Sequence, residues 1–175
     1  MAGNARYTAL LDACVLYPIA IADSLMSLAT AGLSAAKWST RIEQEWIAAL
    51  ENRRADLKGR LEFRRDCMRA AVPDWEVPET AWVPLVSAYE LPDPDDRHVL
   101  AAAVAGHADC IVTANLRDFP SEIVSAYGIE VVDPDRFIIN QWDLDPVTAH
   151  VVIQKCRRHR HRVISAWFPR RYELS

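Results

Sequence analysis

Acidic and amide side chains follow two apolar runs that are typical of buried strands. Asp12 comes near the end of the run YTALLDAC at residues 7–14, and Asn115 and Asp118 follow the run ADCIVT that ends at Thr113. In parallel sheets, side chains that follow neighbouring strands meet at the carboxyl edge, where ligands bind. If the two runs form neighbouring strands, these polar residues converge on one site.

A further carboxylate is expected from the start of a helix. With Asp96 at zero on a helical wheel, the apolar residues three, four and seven positions further on all lie within roughly 60° of it. Asp96 therefore faces the core side. Asp93 fits a different role, the N-cap of that helix, with Pro94 in the first turn. His98 projects about 200° from Asp96 and is predicted to lie on an exposed face.

Several carboxylates at one sheet edge repel each other unless a cation lies between them. Oxygen ligands of this kind suit Mg²⁺ or Mn²⁺, which can lower the pKa of a water held near Asp12 and Asp96 and neutralise charge on a phosphodiester. Hydrolysis of a phosphodiester is therefore the predicted chemistry. Phosphatases and receiver domains also carry acids at strand ends. A phosphatase would need a second acid two residues after Asp12, and Cys14 occupies that position.

The bulk composition fits one compact domain with a short appendage. The chain has 175 residues, of which 51% are hydrophobic and 25% charged. Its apolar runs are too short to span a bilayer, and its N-terminus lacks a leader pattern, so a soluble cytoplasmic protein without membrane contact is predicted. The four cysteines lack paired ligand spacing and are expected to be reduced.

Apolar periodicity predicts alternating helices and strands, and hence an α/β fold with parallel strands. After the first strand, helices are expected at residues 16–36, at residues 39–72 with Ser39 as N-cap and a break near Gly59, and at residues 95–106, 121–127 and 134–142. A short strand is predicted from TAWVPLV and a last strand from IEVVD. Residues 1–142 form the predicted domain, and residues 143–175 an added basic helix.

Three segments together resemble the PIN-domain family in order and spacing: LLDACVLYP, WSTRIEQEW and LPDPDDRHVLAAAVAGHADCIVTANLRDFP. The resemblance covers residues 7–142. It implies a Rossmann-like three-layer α/β/α sandwich with a central parallel sheet and a site of acidic residues that binds Mg²⁺ or Mn²⁺. The residues that match the family's catalytic acids are Asp12, Glu45, Asp96 and Asp118, of which Asp12, Asp96 and Asp118 are the expected metal ligands.

Asn115 departs from the family pattern, and two glutamates compete for one of its positions. Asn115 stands where many relatives have Asp and is expected to support the site together with Thr113. Glu43 and Glu45 are two residues apart and project about 200° apart on a helix, so only one can readily reach the site. Glu45 is favoured, because it lies six residues after Ser39, as in the family pattern, and nearer to the apolar face.

The resemblance to VapC-type toxins of this family implies a metal-dependent endoribonuclease that cuts RNA and is the toxin of a type II toxin-antitoxin pair. It also implies a small antitoxin partner and a homodimer. Two alternatives remain open at this point: a stand-alone RNA-processing nuclease and a non-catalytic RNA-binding protein of the same fold.

Basic side chains offer two weak candidates for RNA contact. The first is a stripe that lies within about 60° if the helix after Ser39 is continuous, formed by Arg54, Lys58, Arg65 and Arg69. The second is the C-terminal extension, which includes Arg157 and Arg158. Residues 143–175 hold 7 Lys and Arg against 3 acids, whereas residues 1–142 hold 13 against 21. A solvated stripe and a helix docked on the domain are the competing interpretations.

Overall fold

A central sheet with only parallel pairings organises the fold. The computed structural model describes residues 7–167, with side chains described as far as residue 156. Within that range the strands are β1 (Thr8–Leu11), β2 (Ala35–Lys37), β3 (Cys110–Val112) and β4 (Glu130–Val132). Their spatial order is β2-β1-β3-β4. In β1 and β3, which have neighbours on both sides, Leu10 and Ile111 are fully buried, as expected for strands covered on both faces.

Helices connect and cover these strands. They are α1 (Ala13–Leu16), α2 (Ile19–Thr30), α3 (Thr40–Arg53), α4 (Glu62–Ala71), α5 (Glu79–Trp82), α6 (Arg97–Ala105), α7 (Ser121–Val124), α8 (Pro134–Leu144) and α9 (Pro146–Trp167). Because parallel crossovers are right-handed, the reversal of the strand order after β2, from one side of β1 to the other, places the connecting helices on opposite faces of the sheet. The fold is thus the three-layer α/β/α sandwich with a central parallel sheet that the sequence predicted.

The predicted break in the long helix after Ser39 is confirmed. Ser39 Oγ accepts a hydrogen bond from Ile42 N (3.3 Å), as expected of an N-cap, and α3 ends at Arg53. A 3₁₀ turn over Ala55–Leu57 and Gly59, with a φ of 70°, separate α3 from α4. Since this left-handed φ favours glycine, the chain can turn here at little cost. The continuous helix that the basic stripe required therefore does not exist.

One strand prediction and one helix prediction were wrong. TAWVPLV does not form a strand: α5 and a 3₁₀ helix over Val83–Ala88 occupy it, with Pro84 near the start of the 3₁₀ helix, where a missing N–H costs nothing. The predicted helix 16–36 is shorter, because α2 ends at Thr30 and β2 follows. A three-residue strand of two alanines and a lysine carries too little pattern to be distinguished from a helix end.

The C-terminal helix is packed on the rest of the domain. α9 contacts α2 and α8, and its residues Ala149, Val152 and Cys156 are buried. No helix within residues 7–167 has both the length and the apolar character needed to cross a membrane. The described cysteines are free thiols, of which Cys67 is exposed.

Candidate active site

The candidate site lies where the strand order reverses, at the carboxyl ends of β1 and β3. Leu11 pairs with Val112 at the end of the two strands, and the next residue, Asp12, donates its backbone N–H to Val112 O (3.1 Å). Asp12 and Thr113 therefore leave the sheet side by side. This switch point is the usual ligand position in open α/β sheets.

Asp12 is held in one orientation by three donors. Its Oδ1 accepts from Ala13 N (2.6 Å) as the N-cap of α1, and its Oδ2 accepts from Thr113 Oγ1 (2.7 Å) and from Cys14 Sγ (3.1 Å). The residue is only 5% exposed. A buried carboxylate with this many donors is fixed before any ligand arrives.

Cys14 and Thr113 form the support beneath Asp12. Cys14 Sγ lies 3.3 Å from Thr113 Oγ1 and accepts from Ala114 N (3.2 Å), and Thr113 Oγ1 also accepts from Asn115 N (3.0 Å). Burial and the charge of Asp12 raise the pKa of Cys14 to about 11, so its sulfur stays a thiol and can donate to the carboxylate. The sequence analysis missed this role of Cys14, although its place two residues after Asp12 was a usable signal.

Asp96 is the second carboxylate of the candidate site, and the charge of Asp12 acts on it. It ends a 3₁₀ turn over Pro94–Asp96 that Asp93 caps by accepting from Asp95 N (2.9 Å), as predicted for Asp93. Burial, followed by the negative charges of Asp12, Asp118 and Asp93, raises the pKa of Asp96 to about 6. A shift of this size and origin is characteristic of functional sites.

Asp118 enters from the loop after β3. It ends a 3₁₀ turn over Leu116–Asp118, and its backbone N–H donates to Asn115 O (3.1 Å). Asp118 is partly buried and its charge acts on Asp96, whereas Asn115 is exposed. The structure thus brings Asp12, Asp96 and Asp118 within electrostatic reach of one another, with Asn115 at the rim.

Glu43 is engaged in a buried contact between helices. It is 3% exposed, accepts from Trp38 Nε1 (2.9 Å), and receives Arg69 of α4 on both carboxylate oxygens. Arg69 in turn lies over the Trp75 ring, with its guanidinium carbon 4.5 Å from the ring centroid. Glu43 is therefore engaged in the contact between α3 and α4. It is more buried than Glu45, whereas the helical wheel placed Glu45 nearer to the apolar face.

Glu45 instead reaches the first turn of α6. Its Oε1 lies 2.9 Å from Nε2 of His98 and 3.2 Å from Nε of Arg41. These two partners lower the pKa of Glu45 against the effect of its burial. Since His98 belongs to the first turn of α6, this contact joins Glu45 of α3 to that turn.

The prediction that His98 is exposed was wrong. Its side chain is 1% exposed and its ring packs against Trp82 of α5, with ring centroids 6.0 Å apart. The helical wheel placed His98 opposite Asp96, but it could not show that α5 and α3 cover that side of α6. A histidine next to an acidic motif was the signal that could have prompted a search for its partner.

The predicted basic stripe is dispersed by its own counter-charges. Arg54 pairs with Asp56, Arg65 with Asp66, and Arg69 with Glu43, while Lys58 is exposed in the connection between α3 and α4. Exposed pairs such as the first two are weak and exchange readily with other anions. Arg157 and Arg158 lie beyond the residues whose side chains are described.

The donor chemistry at the switch point fits a hard divalent cation. Asp12, Asp96 and Asp118 provide carboxylate oxygens, and the raised pKa of Asp96 reflects negative charge that a cation would offset. Within the described part of the chain, no three or more His, Cys, Asp or Glu side chains already converge as a complete metal-binding group. Mg²⁺ commonly takes one or two carboxylates and keeps several waters, so such a group is not required.

The protein is therefore an α/β/α sandwich with a parallel sheet and a group of carboxylates at the point where the strand order reverses. Comparison with family profiles assigns the family: the profile described as a PIN domain matches residues 8–117, more than half of the chain. The chain belongs to the PIN-domain family. The matched range includes β1, β3, Asp12 and Asp96, and it ends one residue before Asp118.

One curated relative matches over a shorter stretch. The chain is 47% identical over 58 residues to "Putative ribonuclease VapC50" of Mycobacterium tuberculosis (strain ATCC 25618 / H37Rv). The aligned stretch is 33% of this chain and 34% of the relative, so the chain spans about a third of the length of the curated relative that it matches.

Proposed function

We propose that this protein is a metal-dependent endoribonuclease that hydrolyses RNA phosphodiesters. The observation that carries the proposal is the coupling of Asp12, Asp96 and Asp118 at the switch point, expressed in the raised pKa of Asp96. Membership of the PIN-domain family supports it, as does the similarity to a protein whose name is that of a ribonuclease.

A divalent cation such as Mg²⁺ or Mn²⁺, held by Asp12, Asp96 and Asp118, would supply charge to offset a phosphodiester and would acidify a water. The chain's own residues prepare that site. Thr113 and Cys14 fix Asp12 Oδ2 by hydrogen bonds, so this carboxylate does not need to reorganise when substrate arrives. In the metal-free chain the raised pKa of Asp96 reflects burial and repulsion by the neighbouring carboxylates, and a bound cation would offset that repulsion.

Two further residues complete the proposed machinery. Glu45 contributes a carboxylate that contacts the first turn of α6, and its proposed role is to orient a water or the substrate. Asn115, at the exposed rim, offers an amide where RNA enters. Direct contacts to the RNA backbone are assigned to the basic side chains of the C-terminal extension, including Arg157 and Arg158, because residues 143–175 hold 7 Lys and Arg against 3 acids, whereas all three stripe arginines have acidic partners.

The biological role that we propose is that of a toxin in a type II toxin-antitoxin pair. The support is the similarity to a VapC protein over a third of the chain. The role implies a small antitoxin partner that shields the acidic pocket, and we propose a homodimer as the toxin's own assembly. A stand-alone RNA-processing nuclease is the competing role for the same chemistry.

The first experiment measures cleavage of an end-labelled structured RNA by the native protein in Mg²⁺ or Mn²⁺. The comparison is with Asp96→Asn, and the matched control is Asp95→Asn, which changes the same chemical group one residue earlier at an exposed position. Loss of one metal- and charge-stabilising carboxylate is expected to reduce the rate by about 10² or more. We expect Asp95→Asn and the native protein to cut equally, and EDTA to stop both.

One outcome would contradict the proposed mechanism. Cutting that survives both EDTA and Asp96→Asn would exclude catalysis by a carboxylate-bound metal.

The biological role is tested by expression in bacteria. Induced expression of the native chain is expected to arrest growth, and Asp96→Asn is expected to remove the arrest. Normal growth with active enzyme would favour the stand-alone processing role instead.

A further inference from the structure

His98 is a buried polar side chain two residues after Asp96 to which the proposed chemistry gives no role. It is 1% exposed, yet its Nε2 lies 2.9 Å from Glu45 Oε1, whose side chain is 38% exposed. A histidine enclosed to this degree cannot contact an RNA phosphate itself. Its direct contact with the proposed catalytic acids is the Glu45 carboxylate.

The histidine ring is more firmly held than the glutamate. His98 belongs to an α6 segment whose neighbours Val99 and Leu100 are fully buried, and Trp82 of α5 packs on the imidazole. Glu45, by contrast, sits on the half-exposed side of α3, where its other partner is Arg41, four residues earlier and 41% exposed. Exposed pairs at this spacing hold a side chain weakly. The imidazole is therefore the rigid end of the contact.

The atoms used in the contact leave one carboxylate oxygen for chemistry. His98 and Arg41 both approach Oε1 of Glu45, so Oε2 is the oxygen that Glu45 would offer to a water or to the substrate. His98 must carry its hydrogen on Nε2 to donate to Oε1. Its Nδ1 is buried without a hydrogen-bond partner, as is Nε1 of Trp82 beside it, so the ring keeps a costly polar position. A site selected for packing alone would be better served by an apolar residue.

We infer that His98, two residues after Asp96 along the chain, is a positioning residue: it fixes the Glu45 carboxylate at the first turn of α6 by donating from Nε2 to Oε1. This inference rests on the proposed ribonuclease activity. It assigns to His98 no contact with substrate and no proton transfer. It explains why Glu45, and not the more buried Glu43, has its carboxylate directed to α6.

The test compares two amides at position 98. Gln can place its N–H₂ where Nε2 of histidine was, whereas Asn reaches only as far as Nδ1, and both cost the core a similar polar burial. We expect His98→Asn to lower kcat by about ten-fold or more with KM within about three-fold, and His98→Gln to restore most of kcat. Equal kcat for the two variants, with both folded by circular dichroism, would overturn the inference.

A double-mutant comparison separates positioning from general structural damage. If His98 acts through Glu45, then Glu45→Gln combined with His98→Asn is expected to be no slower than Glu45→Gln alone. Multiplicative losses would show that His98 works elsewhere. The control for loss of a histidine is His150→Asn, an exposed residue on α9 whose ring meets Trp142; this variant is expected to keep native kcat.

A second readout does not need activity. A long-range ¹H–¹⁵N NMR spectrum of the histidine rings is expected to show His98 with its hydrogen on Nε2, and Glu45→Gln is expected to shift that signal. If the native protein cuts no RNA, the proposed function fails, but the spectrum still decides whether His98 holds Glu45. A His98 signal that Glu45→Gln leaves unchanged would overturn the contact itself.

Discussion

Asp96 carries most of the electrostatic strain of the candidate site. Burial and three neighbouring carboxylates raise the pKa of Asp96 to about 6, whereas the pKa of an aspartate in the unfolded chain is about 4. Protonation of Asp96 therefore favours the folded state. Its contribution to stability is fully present below about pH 4 and is lost as the pH rises through about 6.

We expect Asp96→Asn to stabilise the metal-free protein at neutral pH. In EDTA at pH 7.5, the free energy of unfolding of the variant should exceed that of the native chain by on the order of 1 kcal/mol, after allowance for partial exposure. The gain should vanish near pH 4. Denaturant unfolding at several pH values measures it. Mn²⁺ should stabilise the native chain more than the variant; a variant that is less stable than native at pH 7.5 in EDTA would contradict this account.

For single residues, the sequence predicted a position when the residue directly follows a strand or begins a helix. Asp12, Asp96 and Asp118 could be predicted as neighbours because two of them follow strands and one starts a helix, and parallel strands share an edge. His98 could not be predicted, because its burial depends on α5, a helix that the proline-rich segment concealed. The support by Cys14 depends on the register of β1 against β3, which no local pattern encodes.

At the scale of elements, α3 sends two glutamates in two directions with different consequences. Glu43 ties α3 to α4 through Arg69, and Glu45 ties α3 to α6 through His98. The two contacts differ in burial: Glu43 is enclosed, whereas Glu45 is half-exposed. We therefore expect the first glutamate to matter for stability and the second for catalysis.

Matched Glu→Gln substitutions test that division. Glu43→Gln is expected to cost about 2 kcal/mol of unfolding free energy, because Arg69 loses its counter-charge, and to leave kcat near native at a temperature where the variant is folded. Glu45→Gln is expected to change stability by less than about 0.5 kcal/mol and to lower kcat. Thermal unfolding and cleavage rates measure both. If the two variants exchanged these effects, the assignment of Glu45 to the site would be wrong.

The break between α3 and α4 shows that the sequence pattern predicted where helices end better than it predicted the partners of charged side chains. Gly59 marked the end of helical continuity, so the break was predictable, and the loss of the basic stripe follows from it. The partners that neutralise the arginines were less predictable. Asp56 and Asp66 lie within two residues of their arginines, but Arg69 reaches Glu43 across 26 positions, a pairing that exists only after α4 has folded onto α3.

At the scale of the whole molecule, charge is divided between an acidic body and a basic end. Residues 1–142 carry 21 acids against 13 Lys and Arg, and residues 143–175 carry 7 Lys and Arg against 3 acids. An acidic body repels RNA except where cations screen it. The fold joins the two parts, because α9 packs on α2 through Ala149, Val152 and Cys156. Binding energy for RNA is thus expected to come from the basic end, and chemistry from the body.

Charge reversal at the basic end tests whether binding and chemistry are divided in this way. Arg157→Glu with Arg158→Glu is expected to raise KM for RNA by about ten-fold at low salt and to leave kcat near native. The salt dependence of kcat/KM should also fall, because RNA that makes fewer phosphate contacts releases fewer counterions when it binds. Arg54→Glu with Arg65→Glu is the control: it changes the net charge equally, but both arginines are paired with acids, so their reversal should have a smaller effect. Cleavage kinetics across a salt series measure both variants. Equal effects of the two reversals would mean that RNA responds only to net charge, and the RNA contact would then have to be assigned to the body of the domain.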